Sequence, residues 1–129
     1  MRDDLGVAIL FITHNMGVVA DLCDRVVVMY AGQVVEQAPV FELFAAPKQP
    51  YTEGLLHAMP QVGARRGRLP SIAGSTPPPW NLPSGCRFQP RCPYAVEACT
   101  EPVPLLVPAP GRLSRCIRVD ELRLEGPAR

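Results

Sequence analysis

The chain has a single lysine, Lys48, which follows Pro47 and has no glycine cluster near it. A phosphate-cradling loop needs Gly-x4-Gly-Lys-Ser/Thr, because its backbone N–H groups and its lysine hold the phosphates, and the sequence contains none. No apolar run ends in the Asp-Glu pair that would hold magnesium and polarise water. There is no Gly-x-Ser-x-Gly and no carboxylate pair on one face, so hydrolase chemistry has no support. The longest apolar stretch, Val7 to Ile12, falls well short of the roughly 18 residues of a membrane helix. Met1-Arg2-Asp3-Asp4 is acidic where a secretory signal is basic, which predicts no export. Charge of one sign is also missing: 13 basic and 12 acidic side chains leave +1, with no global field that points to nucleic acid.

Proline and glycine are abundant instead, at 16 and 10 of 129 residues. Residues 1–63 carry three basic and seven acidic groups, and residues 64–129 carry ten and five, so the balanced total hides two kinds of sequence. Thirteen of the prolines lie at or after Pro60. This division predicts three segments: an α/β part over 1–60, a Pro/Arg-rich linker over 61–82 and a cysteine-rich extension over 83–129.

Leu5 to Thr13 reads as a strand buried on both faces of a parallel sheet, since it is rich in Val, Ile, Leu and Phe without polar alternation. Asn15 is placed to cap a helix carrying Met16, Val19, Ala20 and Cys23 on one stripe. Val26 to Tyr30 and Gln33 to Glu36 read as strands joined by a two-residue turn, with Gly32 supplying positive φ. Pro39 suits the first turn of a short helix, and Tyr51, Leu55 and Met59 mark another. The order is β-α-β-β-α-α. Met1 comes only four residues before a central-looking strand, which suggests part of a larger domain.

Beyond Pro83 periodicity vanishes, and the prolines predict little helix or sheet. Cys86, Cys92, Cys99 and Cys116 are spaced C-x5-C-x6-C-x16-C. In a chain that is not exported, such cysteines point to a metal centre. Iron–sulfur clusters and structural zinc both use four thiolates, and the absence of close C-x2-C knuckles leans away from zinc. Disulfides or free thiols stay open on spacing alone. Cys23 reads as a small buried hydrophobe. Arg65-Arg66-Gly67-Arg68 reads as a solvated linker, and Trp80 and Phe88 as filling for a small core. His14 lies at the carboxyl end of the first apolar run, where α/β sheets collect ligands; it is either a phosphate or water contact or a plain loop histidine.

Residues 9–15 (I-L-F-I-T-H-N), 24–36 (D-R-V-V-V-M-Y-A-G-Q-V-V-E) and Pro50-Tyr51-Thr52 followed by Gly54-Leu55-Leu56 resemble the ATP-binding subunits of ABC transporters. The resemblance is to the dipeptide and oligopeptide importers, the family that also serves nickel uptake, and covers about 5 to 120. It implies a partial P-loop NTPase-type sheet followed by an irregular four-cysteine extension. His14 then matches the switch histidine that contacts the γ-phosphate, and Cys86, Cys92, Cys99 and Cys116 match the ligands of a [4Fe–4S] cluster, with zinc second. Asn15 replaces the usual Asp and Gln49 the usual His. The Walker A, Q-loop, signature and Walker B motifs would lie before Met1, so ATP and magnesium belong to a full-length parent and the isolated chain is expected to be inactive. That parent would lie on the cytoplasmic face of a bacterial inner membrane, peripheral and not inserted, with permease subunits and a second ATPase subunit as partners. A free-standing iron–sulfur or redox module and a non-functional gene fragment are the alternatives.

Overall fold

The hairpin at the centre of the molecule follows from alternation. In β1 (Arg25–Tyr30) Val26, Val28 and Tyr30 point inward and Arg25, Val27 and Met29 outward. β2 (Gln33–Pro39) returns antiparallel, pairing Tyr30 with Gln33 and Arg25 with Pro39. The two turn residues, Ala31 and Gly32, have φ of 47° and 76°. Positive φ at both is the mirror-image turn that matches strand twist, and it costs alanine about 1–2 kcal/mol. Ala31→Asn is therefore expected to raise stability by about 0.5–1 kcal/mol, read as a higher urea midpoint at constant slope. A register shift between Val28 and Met29 sets Val35 and Glu36 both inward, two consecutive buried residues in a strand.

The computed structural model describes residues 6–60 and 71–127. Helix α1 (Met16–Leu22) precedes β1, and its N-cap is Asn15, whose Oδ1 accepts from Gly17 N at 3.0 Å and Val18 N at 3.3 Å, as the sequence predicts. α2 (Val40–Ala45) follows β2 directly, with Pro39 as its cap residue, one position before the expected site. α3 (Pro50–His57) opens on proline and is capped by the buried Gln49 side chain, which accepts from Tyr51 N.

Two expectations are corrected. The Leu5 to Thr13 run forms no strand over its described part, and Leu10 and Ile12 are more than nine-tenths exposed. A strand buried on both faces needs hydrogen-bonded neighbours, and the four-stranded sheet supplies none at this segment. Among the described residues no two strands pair in parallel. The observed sheet is antiparallel, in the order β1-β2-β4-β3. The second correction concerns the proline-rich tail, which contributes β3 (Leu106–Ala109) and β4 (Arg112–Ser114). Their turn places Gly111 at φ 73°, and β4 pairs with β2 through Glu36↔Ser114 and Gln37↔Leu113. Pro108 fits because β3 is the sheet edge, where a missing N–H is tolerated.

The core joins both halves. Val19, Val26, Val28, Tyr30, Val35, Ala38, Val40, Leu43 and Leu56 form one cluster with Phe88, and Cys86, Cys92 and Tyr51 pack against it. Tyr30, Tyr51 and Phe88 form an aromatic triangle with centroids 4.6, 5.3 and 5.4 Å apart. Phe88 fills the core as expected, whereas Trp80 is exposed. Arginines from the tail tie the remaining chain by donating to main-chain carbonyls: Arg87 to Ala31, Arg91 to Ile72 and Ala73, Arg112 to Ala46, and Arg115 to Val34 and Val103. Guanidinium forks thereby satisfy carbonyls that sheet or helix would otherwise pair. The Arg65 to Arg68 cluster and the first part of the expected linker, residues 61–70, lie outside the described residues.

Candidate functional site

Three of the four tail cysteines open tight turns. The carbonyls of Cys86, Cys92 and Cys116 accept from the N–H groups of Gln89, Ala95 and Val119 at 3.0, 3.2 and 3.1 Å. Cys99 ends its segment differently, accepting from Cys86 N at 2.9 Å, which clamps the first and third cysteines together. The clamp depends on Gly85, where a Cβ would stand 2.3 Å from the Cys99 carbonyl oxygen and 2.6 Å from that of Glu101. Ser84 Oγ donates to Thr100 O at 3.1 Å on the same stretch.

All four thiols line one small cavity of about 20 Å³, together with Gln49, Pro50, Tyr94, Val103, Ile117, Leu122 and Arg118. No carboxylate or imidazole shares that lining. All five cysteines are free thiols, so disulfides are not what holds this segment. Among the described residues no three His, Cys, Asp or Glu side chains converge on a single-ion site; the thiols ring a space instead of meeting at a point.

Burial pushes the Cys86 and Cys92 thiols up, and pushes Cys116 up to about 11. The largest opposing effect at each is a main-chain N–H two residues on: Phe88 for Cys86, Tyr94 for Cys92 and Arg118 for Cys116. Neighbouring thiols raise one another further, as like charges must. A metal centre on these thiols would have to displace their protons. The donor set is soft and uniform, which suits iron–sulfur or zinc and disfavours hard cations.

The cavity wall is braced from α3. Tyr94 donates to Glu53 Oε2 at 2.8 Å, and this bond holds the phenol up at about 12. Glu53 Oε1 accepts from Glu125 N at 2.9 Å, tying in the C-terminal segment. Arg118 donates to Tyr94 O at 2.9 Å and to Glu121 Oε2 at 2.8 Å. His14 is exposed at the end of the 7–13 segment and is not among the cavity residues. Cys23 is half-buried beside the core, in keeping with a small hydrophobe.

The family model described as "Oligopeptide/dipeptide transporter, C-terminal region" matches residues 35–99, half of the chain. The chain belongs to this family. The matched span of the transporter C-terminal region runs from β2 through Cys99, taking in Cys86 and Cys92 and stopping before Cys116. A protein of Brucella abortus that carries the name peptide import ATP-binding protein is 47% identical over 116 residues, 90% of this chain and 35% of its own length. One of Brucella ovis with the same kind of name is 50% identical over 129 aligned residues, 95% of this chain and 38% of its own length. The chain thus spans little more than a third of the length of these relatives. No helix among the described residues is long and apolar enough to cross a membrane.

Gly85, Tyr94, Glu53 and Arg118 belong to the site but were not singled out by the sequence. Only Gly85 carried a signal, as a glycine immediately before the first ligand-type cysteine. Gln49, noted as a departure from the family's His, lies on the cavity wall and caps α3.

Proposed function

We propose that the chain is the C-terminal portion of the ATP-binding subunit of a peptide ABC importer, and that Cys86, Cys92, Cys99 and Cys116 hold a [4Fe–4S] cluster. What supports the reading is that four thiols, and no harder ligand, line one cavity in a transporter C-terminal region. In the complete subunit, ATP hydrolysis drives uptake of di- or oligopeptides, or of nickel, through permease subunits, alongside a second ATPase subunit. The subunit sits at the cytoplasmic face of the bacterial inner membrane, peripheral to it. Residues 7–13 serve there as a sheet strand whose pairing partners belong to the rest of the domain, and His14 at its end faces the γ-phosphate. Within these 129 residues there is no P-loop lysine, so the chain alone binds and hydrolyses no ATP.

A bound cluster would supply a rigid four-point crosslink and a one-electron redox centre. The chain's own residues do the rest. Phe88, Tyr94 and Arg118 present N–H groups to three of the sulfurs. Val103, Ile117 and Leu122 keep water from them, and Tyr94 fixes the wall to α3.

Anaerobically purified full chain is expected to contain iron, sulfide and protein near four to four to one, by roughly the stoichiometry such clusters require. Cys92→Ser is expected to lose most of that iron. Wild-type protein carrying zinc at one per chain, or no metal after reconstitution, overturns the cofactor assignment.

A further inference from the structure

Residues 115–127 form neither helix nor strand, yet this stretch closes one wall of the four-thiol cavity through Ile117, Arg118 and Leu122. Two of the thiols there are nearly sealed, with Cys99 8% and Cys116 9% exposed. The stretch is held down by contacts with α2 and α3. Glu53 Oε1 accepts from Glu125 N at 2.9 Å, and His57 Nε2 donates to Gly126 O at 3.1 Å. Gly126 lies so close to the end of α2 that a Cβ there would stand 1.8 Å from Phe44 O. Leu124 is buried just before these contacts. At the other end the chain makes only turns, from Val119 N to Cys116 O at 3.1 Å and from Leu122 N to Arg118 O at 3.0 Å. Arg118 there donates to Tyr94 O at 2.9 Å. The Tyr94 hydroxyl in turn reaches Glu53 Oε2 at 2.8 Å, so one buried carboxylate fastens both Tyr94 and the C-terminal stretch.

We propose that residues 117–126 form a strap that gates the four-thiol cavity, hinged at the turns after Cys116 and latched to α3 by Glu53. Opening of the strap admits small solutes, such as a metal ion, sulfide or an alkylating reagent, to thiols otherwise closed off. A segment without ladder hydrogen bonds opens at lower cost than the sheet beside it, so local release precedes unfolding. Glu53 touches no reacting atom and is a positioning residue. Hydrogen bonds to a charged group hold such an equilibrium closed by about tenfold or more. The inference needs the cavity that the cysteines line and not the identity of the group held there.

The test compares the full chain with Glu53→Ala, Glu53→Gln and Gly126→Ala under native conditions. Hydrogen exchange read by mass spectrometry follows the amides of 117–127 against those of the β1–β2 hairpin. Iodoacetamide labelling of the reduced, metal-free chain follows Cys99 against Cys23. Glu53→Ala removes both latch bonds and is expected to speed strap exchange and Cys99 labelling about tenfold or more, with the hairpin and Cys23 unchanged. Glu53→Gln keeps an oxygen for Glu125 N and gains an amide that donates to Tyr94 Oη, so it is expected to stay within about threefold of wild type. Gly126→Ala pushes the far end of the strap off Phe44 and is expected to raise both rates; it decides alone if Glu53→Ala does not fold. Parallel acceleration of the hairpin and Cys23 is general loosening and overturns the inference, as do unchanged rates in both alanine variants. Faster strap exchange with no change at Cys99 overturns it too, because the segment then covers nothing. A chain that takes up no iron and sulfide removes the cofactor reading and leaves this test standing.

Discussion

Arg112→Met is expected to cost about 3–5 kcal/mol, because it strands a buried carboxylate. Glu36 is fully buried and Arg112 nearly so, with Nη2 3.1 Å from Glu36 Oε1. The same carboxylate oxygen accepts from Lys48 N at 2.8 Å, while Arg112 also donates to Ala46 O at 2.8 Å and Ser114 Oγ to Lys48 O at 2.6 Å. This knot fastens β4 of the tail to β2 and to the chain leading into α3. It is incompletely satisfied, since Glu36 Oε2, Arg112 Nε and the Thr52 hydroxyl have no well-aligned hydrogen bond. Burial raises the Glu36 carboxyl above its ordinary 4.5, against the lowering effects of Thr52, Lys48 and Arg112. A carboxyl raised on folding contributes stability that is present below its unfolded value and lost as pH climbs through the folded one. Removing Arg112 takes away one of the lowering effects, so the deficit of Arg112→Met is expected to be larger at pH 8 than near pH 5. The double variant Glu36→Leu/Arg112→Met should recover much of the loss, as apolar replacement of both partners commonly does. Thermal melts of the three variants at the two pH values check this. A single variant that melts within a degree or two of wild type, or a deficit that grows on acidification, refutes the assignment.

Gly85→Ala is expected to damage both the fold and the four-thiol cavity. The added methyl would meet main-chain atoms of Cys99, Thr100 and Glu101 at 2.3 to 2.6 Å, and no side-chain rotation can relieve that. The strand of contacts it would push apart includes the 2.9 Å bond between Cys86 N and Cys99 O. Overpacking against rigid backbone sits at the upper end of such penalties, about 3 kcal/mol. Gly54→Ala supplies the comparison, because its methyl would meet only the Ile72 side chain at 2.8 and 2.9 Å, which can turn aside. Gly85→Ala should therefore lower the urea midpoint markedly and lose most bound iron, with Gly54→Ala milder on both counts. Equal effects, or a Gly85→Ala chain with wild-type iron, would show that the Cys86–Cys99 clamp does not shape the site.

What could be read from the residues was local. Asn15 capping α1, the turn at Ala31-Gly32 and the helix marked by Tyr51 and Leu55 each depend on a few neighbouring side chains. The cysteine spacing likewise marked Cys86, Cys92, Cys99 and Cys116 as one set before their shared cavity was known. The run at residues 7–13 forms no strand within these residues because strand formation is not local: only a neighbour with free N–H and C=O groups turns an apolar, β-prone run into a strand.

The residues alone specified the hairpin, the Asn15 cap and the family. The tertiary structure decided that the proline-rich tail supplies half the strands of the sheet, that Phe88 completes the core around Tyr30 and Tyr51, and that Arg118 stands at the thiol cavity. The physical reason is separation along the chain. Glu36 finds Arg112 and Tyr94 finds Glu53 across 76 and 41 residues. No periodicity or spacing records such pairs; they are chosen when buried polar groups in distant segments must satisfy one another.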